Sequence, residues 1–148
     1  MINRLSLSIK IPRSQEETWK AITNWQDQSN WMLQTKVWVT SDISEGVGTK
    51  IAAITGPFNK IYPRMKHLGL LDLMEVTLWQ PPARCDVLHY GAIIKGGGSF
   101  QVEAIDSESS IFHWSEEITA PRPIFLLVKP FILIGVRISL ARFRNQLE

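Results

Sequence analysis

The stretch PIFLLVKPFILIGVRISLARFRNQLE, residues 123–148, decides the fold because it has the period of one long helix. Its apolar residues recur every three or four positions, which is the spacing of one face of a helix. Pro123 suits a first helical turn, whereas Pro130 cannot donate a hydrogen bond to the preceding turn, so we expect a kink or break there. The stripe predicted to face the core is Phe125, Val128, Ile132, Val136, Leu140, Phe143 and Leu147.

The chain that precedes this helix has the pattern of strands and two short helices. In residues 5–11, LSLSIKI, apolar and polar side chains alternate, which is typical of a half-buried strand. Ser14 and Glu17 form a capping box that opens a helix, and residues 24–32 predict a second short helix. Residues 36–119 then contain short alternating runs separated by turns, a spacing that favours antiparallel pairing over parallel crossovers.

This order of elements predicts an α+β fold in a single domain, residues 1–148. An antiparallel sheet of six or seven strands has one apolar face to bury, and only the final helix is long enough to cover it. A curved sheet around one helix is not filled completely unless the side chains are very large. We therefore expect an apolar pocket between the sheet and the C-terminal helix.

Composition and charge exclude several classes of function. A formal net charge of +2 is too small to indicate a nucleic-acid partner, and Arg137, Arg142 and Arg144 suit the negative end of the last helix. The single cysteine, Cys85, excludes an internal disulfide, and the three histidines lack the spacing of metal ligands. We expect no metal and no cofactor.

The hydropathy of the chain predicts a cytoplasmic protein without stable membrane insertion. The N-terminus lacks the continuous apolar run of a signal peptide. The longest apolar run, residues 124–136, is interrupted by Lys129 and is shorter than the roughly 20 residues that a membrane span needs. The sequence leaves a homodimer open.

Several stretches together resemble the START-like or SRPBCC superfamily, of the polyketide cyclase/dehydrase and lipid-transport type. None of them is a catalytic signature, and the resemblance lies in their order along nearly the whole chain. It implies a helix-grip fold, also called Bet v 1-like, that holds an apolar or amphipathic small molecule between the sheet and the long helix. The stretches are EETWKAITNWQDQSNWM, EGVGTKI, LWQPPARC, LHYGAIIKGGGSFQVEAID, IFHWSEEI and ISLARFRNQLE.

Glu116 is the first candidate for chemistry. Strand alternation places it on the same face as Phe112 and Trp114, where a carboxylate is costly unless it is paired or near water. In one interpretation Glu116 lies near the open end of the strand and is solvated. In the other it is a polar anchor or an acid–base group whose pKa is raised by burial.

His89 is the second candidate, and the register of its strand is ambiguous. An outward-facing Asp86 would place His89 in the pocket, whereas the opposite register would place Tyr90 there. An interior imidazole near Glu116 could polarise a ligand carbonyl or transfer a proton. The alternative is a histidine that is only a hydrogen-bonded part of the wall.

Aromatic and aliphatic residues supply the predicted wall of the pocket. Gly96, Gly97 and Gly98 precede a strand rather than a helix, so a close backbone approach or a β-bulge explains them better than a phosphate site. The predicted ligand-binding residues are Trp31, Tyr62, Trp79, Phe100, Val102, Phe112, Trp114, Ile132 and Val136.

Three hypotheses about function follow. The first is binding or carriage of a hydrophobic small molecule such as a lipid, an isoprenoid or a polyketide. The second is a cyclase or dehydratase that uses His89 and Glu116 as catalytic acid–base groups. The third is a protein-interaction module of the co-chaperone or toxin type. The low number of ionisable residues on the predicted concave face favours the first.

Overall fold

The structure, a computed structural model, describes residues 2–56, 70–91 and 94–148. The helices are α1 (Gln15–Ile22), a 3₁₀ turn (Trp25–Asp27), α2 (Gln28–Trp31) and α3 (Arg122–Leu147). The strands are β1 (Ile2–Ile11), β2 (Thr35–Val39), β3 (Lys50–Thr55), β4 (Leu70–Gln80), β5 (Arg84–Tyr90), β6 (Lys95–Ala104) and β7 (Ser110–Thr119).

The seven described strands form one antiparallel sheet in the order β1-β7-β6-β5-β4-β3-β2. Strands β2 to β7 form a meander, and β1 completes the sheet by pairing with β7. The sheet curls into a half-barrel around α3, with α1 and α2 between β1 and β2. The predicted α+β helix-grip fold is therefore confirmed.

Helix α3 packs its apolar stripe against the concave face of the sheet. Phe125, Leu140 and Phe143 are buried, and Ile132, Val136 and Leu147 are partly buried against the same core. Val128 differs from the prediction: it is 38% exposed because it lies at the border of the stripe. The helix is continuous through Pro130, so the predicted alternative of a break is wrong.

The short helices close one end of the half-barrel. The Ser14 side chain accepts a hydrogen bond from the backbone N–H of Glu17 at 3.2 Å and caps α1, as the capping box predicted. Trp19 of α1 then packs edge-on against Trp79 of β4, with ring centroids 5.1 Å apart. Trp31 of α2 packs against Phe143 of α3 at 4.9 Å, so α2 and α3 border the same interior space.

Candidate functional site

A cavity of about 130 Å³ lies between the concave face of the sheet and helices α2 and α3. Its walls are mainly apolar and aromatic, and its polar residues come mostly from the sheet. No lysine or arginine of the described residues lines it. The lining residues are Gln28, Trp31, Met32, Thr35, Ala53, Thr55, Asp72, Met74, His89, Ile94, Phe100, Phe112, Trp114, Glu116, Val136, Ser139 and Leu140.

Three ionisable side chains meet in the wall of this cavity. His89 of β5 is hydrogen-bonded through Nδ1 to Asp72 Oδ1 of β4 and through Nε2 to Glu116 Oε2 of β7, both at 2.8 Å. The side chains are 6%, 17% and 15% exposed, respectively. Both carboxylates point at the ring nitrogens, and the described residues contain no group of three side chains placed to bind a metal. This cluster is called the His89 cluster below.

The glycines of β6 make room for the His89 cluster. His89 and Glu116 lie on strands that flank β6, where their opposite residues are Gly96 and Gly98. A Cβ atom on Gly98 would lie 3.0 Å from Glu116 Oε1 and 3.1 Å from Val87 Cγ2. Because β6 has no side chain at these two positions on the concave face, His89 and Glu116 can meet across it. The triple glycine is thus explained by close approach.

Burial and hydrogen bonding act in opposite directions on the His89 cluster. Burial alone would lower the pKa of His89, but the hydrogen bonds to Asp72 and Glu116 outweigh it and raise that pKa to about 10. Burial raises the pKa of Glu116 despite the opposing hydrogen bonds from His89 and Trp114. At neutral pH His89 is therefore an imidazolium, and both of its N–H groups donate to carboxylates.

The raised pKa of His89 predicts a specific dependence of stability on pH. A folded-state pKa of about 10 against 6.5 in the unfolded chain means that the protonated histidine stabilises the fold fully below pH 6.5. This contribution is lost as the pH rises towards 10. Chemical denaturation at intervals from pH 6 to about 9 should show the decline. The H89Q variant should not show it, and an equally steep decline in H89Q would contradict the assignment.

Trp31 contributes an unpaired donor near the cavity. Its residue is 4% exposed, and the indole Nε1–H is buried without a hydrogen-bond partner among the described residues. An unsatisfied buried donor costs free energy, and such groups in native structures call for an explanation. An acceptor atom of a bound molecule would satisfy it.

The structure brings most of the predicted site residues together. His89 and Glu116 both line the cavity, and the register question is answered in favour of His89, since Tyr90 lies on the outer face with 45% exposure. The interpretation of Glu116 as a solvated residue at a strand end is wrong. Of the predicted wall residues, Trp31, Phe100, Phe112, Trp114 and Val136 line the cavity. Their roles in binding or catalysis stay predictions.

Three predicted wall residues lie elsewhere. Trp79 follows a register shift between Val76 and Leu78 and packs against α1 rather than at the cavity. Val102 is buried beside the start of α1, where Gln15 donates a hydrogen bond to its carbonyl at 2.9 Å. Ile132 packs against the core one turn before Val136 but is not part of the lining. Tyr62 lies outside the described residues.

Sequence reasoning missed Asp72, the third member of the His89 cluster. A signal was present, because Asp72, Met74 and Val76 alternate on one face of β4, and Met74 also lines the cavity. Pairing of Met74 with His89 then places Asp72 near the imidazole. The sequence alone did not establish the register between β4 and β5, so the contact between Asp72 and His89 could not be predicted.

Comparison with known proteins shows the fold. No family model and no curated protein sequence matches the chain significantly. A START superfamily protein from Mycobacterium smegmatis has a TM-score of 0.76 at 10% identity, covering 98% of this chain and 99% of that one. The Zhui aromatase/cyclase from a Streptomyces species has a TM-score of 0.78 at 9% identity, covering 99% and 94%.

A third neighbour is norcoclaurine synthase from Thalictrum flavum, solved in complex with dopamine and hydroxybenzaldehyde. It has a TM-score of 0.70 at 14% identity, and the alignment covers 99% of this chain and 86% of that one. The structural neighbours thus extend across the START-like or SRPBCC superfamily, as the sequence resemblance implied. At these identities the likeness concerns the fold, and the function has to be argued from the cavity itself.

Proposed function

We propose that the protein binds an apolar small molecule non-covalently in the cavity, with a hydrogen-bond donor of that molecule at Glu116. The observation that carries the proposal is the combination of apolar and aromatic walls with one polar cluster, in which two carboxyl groups contact a buried histidine. Binding pockets for small molecules commonly have this composition, in which apolar surface supplies affinity and a few polar groups fix orientation.

The volume of the cavity supports a ligand portion about the size of one ring. Drug-sized ligands occupy pockets of roughly 300–1,000 Å³, whereas engineered apolar cavities of about 150 Å³ hold benzene. At about 130 Å³ the cavity belongs to the second group. A lipid, an isoprenoid or a polyketide, the ligand classes expected from the sequence, would need the cavity to open further or would insert only one end.

The hydrogen bonding of the His89 cluster supports a donor rather than an acceptor at Glu116. His89 donates through both nitrogens to carboxylates and has no hydrogen left for a ligand. Glu116 lines the cavity, and a carboxylate has more lone pairs than its hydrogen bonds from His89 and Trp114 use. A hydroxyl or ammonium group can donate there, whereas a ligand carboxylate would be repelled.

Four probes with the same ring test this proposal: toluene, benzyl alcohol, benzylamine and benzoate. Their binding can be followed by tryptophan fluorescence, to which Trp31 and Trp114 in the cavity wall contribute. We expect saturable binding of benzylamine and benzyl alcohol, weaker binding of toluene and the weakest binding of benzoate. Tightest binding of benzoate, or no response to any probe, would contradict the proposal.

The E116Q variant should reduce the affinity for benzylamine by about 1–3 kcal/mol, the range for a hydrogen bond to a charged group. Its affinity for toluene should stay unchanged, because toluene has no donor. The matched control is E117Q: Glu117 is the next residue on β7, faces the other side of the sheet and pairs with Arg4. Equal losses in E116Q and E117Q would show that the carboxylate of Glu116 does not contact the probe.

Acid–base catalysis on the bound molecule is the second candidate function, and it is supported by the raised pKa of Glu116. The same geometry argues against His89 as the base, because a histidine with a pKa of about 10 and two occupied nitrogens holds its proton at neutral pH. In that case Glu116 would transfer the proton and His89 would position it. Native mass spectrometry of the purified protein detects a carried molecule, and a change in the mass of that molecule during incubation with the protein would indicate conversion.

A further inference from the structure

The face of α3 that points away from the sheet is apolar over about four turns. Its side chains recur at steps of three and four residues, and Leu127 and Phe131 are 71% and 73% exposed. Monomeric soluble proteins rarely expose a large continuous apolar patch, and such patches mark interaction sites. This surface, called the outer stripe below, consists of Ile124, Leu127, Phe131, Ile134 and Ile138.

The inner face of α3, opposite the outer stripe, is packed against the sheet. By length and composition alone α3 could cross a membrane, yet only 17% of its most apolar window is buried, unlike the core helix of a soluble protein. Phe125, Leu140 and Phe143 hold it against the sheet. A helix held against the sheet in this way can lie on a membrane with its outer stripe in the interface, as amphipathic helices do.

The charges on α3 distinguish a membrane from a second copy of the chain. The helix contains Arg122, Lys129, Arg137, Arg142 and Arg144 and no acidic residue. No carboxylate among the described residues pairs with Lys129 or Arg137. Paired helices of two copies usually place opposite charges along their seam, whereas two copies of α3 would bring like charges together. An anionic lipid surface instead complements the basic residues.

We propose that the outer stripe docks the protein on an anionic membrane surface. Leu127 and Phe131 enter the boundary between headgroups and acyl chains, and Arg137, which is exposed and has no carboxylate partner among the described residues, contacts the anionic headgroups. This proposal rests on the outer face of α3 and is independent of the ligand proposed for the cavity on the inner face.

Vesicle sedimentation tests the proposal, with vesicles of phosphatidylcholine alone and of phosphatidylcholine mixed equally with phosphatidylglycerol. We expect binding to the mixed vesicles that weakens with added salt because the basic residues contribute to it. L127S combined with F131S should reduce binding by at least about tenfold, since binding strength scales with buried apolar area. The matched control is L126S, because Leu126 is also exposed, at 53%, but lies off the outer stripe.

The R137E variant tests the contribution of charge to vesicle binding. It should weaken binding to the mixed vesicles without removing any apolar side chain. Thermal unfolding verifies that each variant is folded, as expected for substitutions at exposed positions. The proposal is overturned if the wild type does not bind mixed vesicles, or if L126S loses as much binding as the combined L127S and F131S variant. A dimer in analytical ultracentrifugation that the combined L127S and F131S variant dissociates, without vesicle binding, would also overturn it and assign the outer stripe to a second copy.

Discussion

Replacing His89 with alanine should lower the free energy of unfolding at pH 7 by about 3–5 kcal/mol, the cost of removing one partner from a buried ion pair. The substitution leaves Asp72 and Glu116 facing each other in a cavity without the cation that both contact at 2.8 Å. Two largely buried carboxylates without a counter-charge repel each other and lose the donors that replaced water.

The dependence on pH identifies the cause of this loss. If repulsion between Asp72 and Glu116 is responsible, the difference between H89A and the wild type should shrink at acidic pH, where a carboxyl group takes up a proton. The control is H113A: His113 lies on the outer face of β7 with a 38% exposed side chain and hydrogen-bonds to Ser8 Oγ. Equal losses in H89A and H113A would show that the His89 cluster does not stabilise the fold.

Replacing Gly96 with alanine should lower the free energy of unfolding by about 3 kcal/mol or more. Gly96 has a φ of +134°, and a Cβ atom there would lie 1.8 Å from the carbonyl oxygen of Glu117. That contact is with backbone, so β6 and β7 would have to separate locally. Because Gly96 is opposite His89 in the sheet, the His89 cluster would be displaced with them.

The neighbouring glycine provides a matched control for G96A. A Cβ atom on Gly97 would meet nothing closer than the Val87 carbonyl oxygen at 3.9 Å. The G97A variant should therefore change the free energy of unfolding by less than about 1 kcal/mol, since it adds only a methyl group and reduces the freedom of the unfolded chain. Denaturant unfolding of both variants measures the difference, and similar losses in the two would contradict the explanation.

The fold could be predicted from the sequence because its signals are local. Alternation along β1 and β7 and the helical period of α3 each depend on a few neighbouring residues. The same alternation placed Glu116 on the concave face. Local patterns do not show which residues of neighbouring strands lie close together. Asp72 was therefore missed, and the hydrogen bonding of His89 could not be predicted.

Two of the errors in the predicted wall, Trp79 and Val102, each have a physical cause. A register shift in β4 after Val76 separates Trp79 from the cavity, and a single sequence does not reveal such a shift. Val102 has the alternation of a cavity residue, yet α1 covers that end of the sheet. Alternation therefore predicts which face a residue lies on, but not which part of that face a helix covers.

Because the His89 cluster needs the glycines of β6, the residues that form it depend on one another, which matters for evolution and for protein design. A larger side chain at Gly98 would crowd Glu116, loss of Glu116 would leave His89 with one carboxylate, and loss of His89 would leave two carboxylates unpaired. Substituting any one of these residues alone should therefore lower stability. Replacing a buried ionic cluster as a whole by apolar residues of similar volume is instead often neutral or stabilising. In a lineage that abandons this chemistry, positions 72, 89, 98 and 116 should therefore change together.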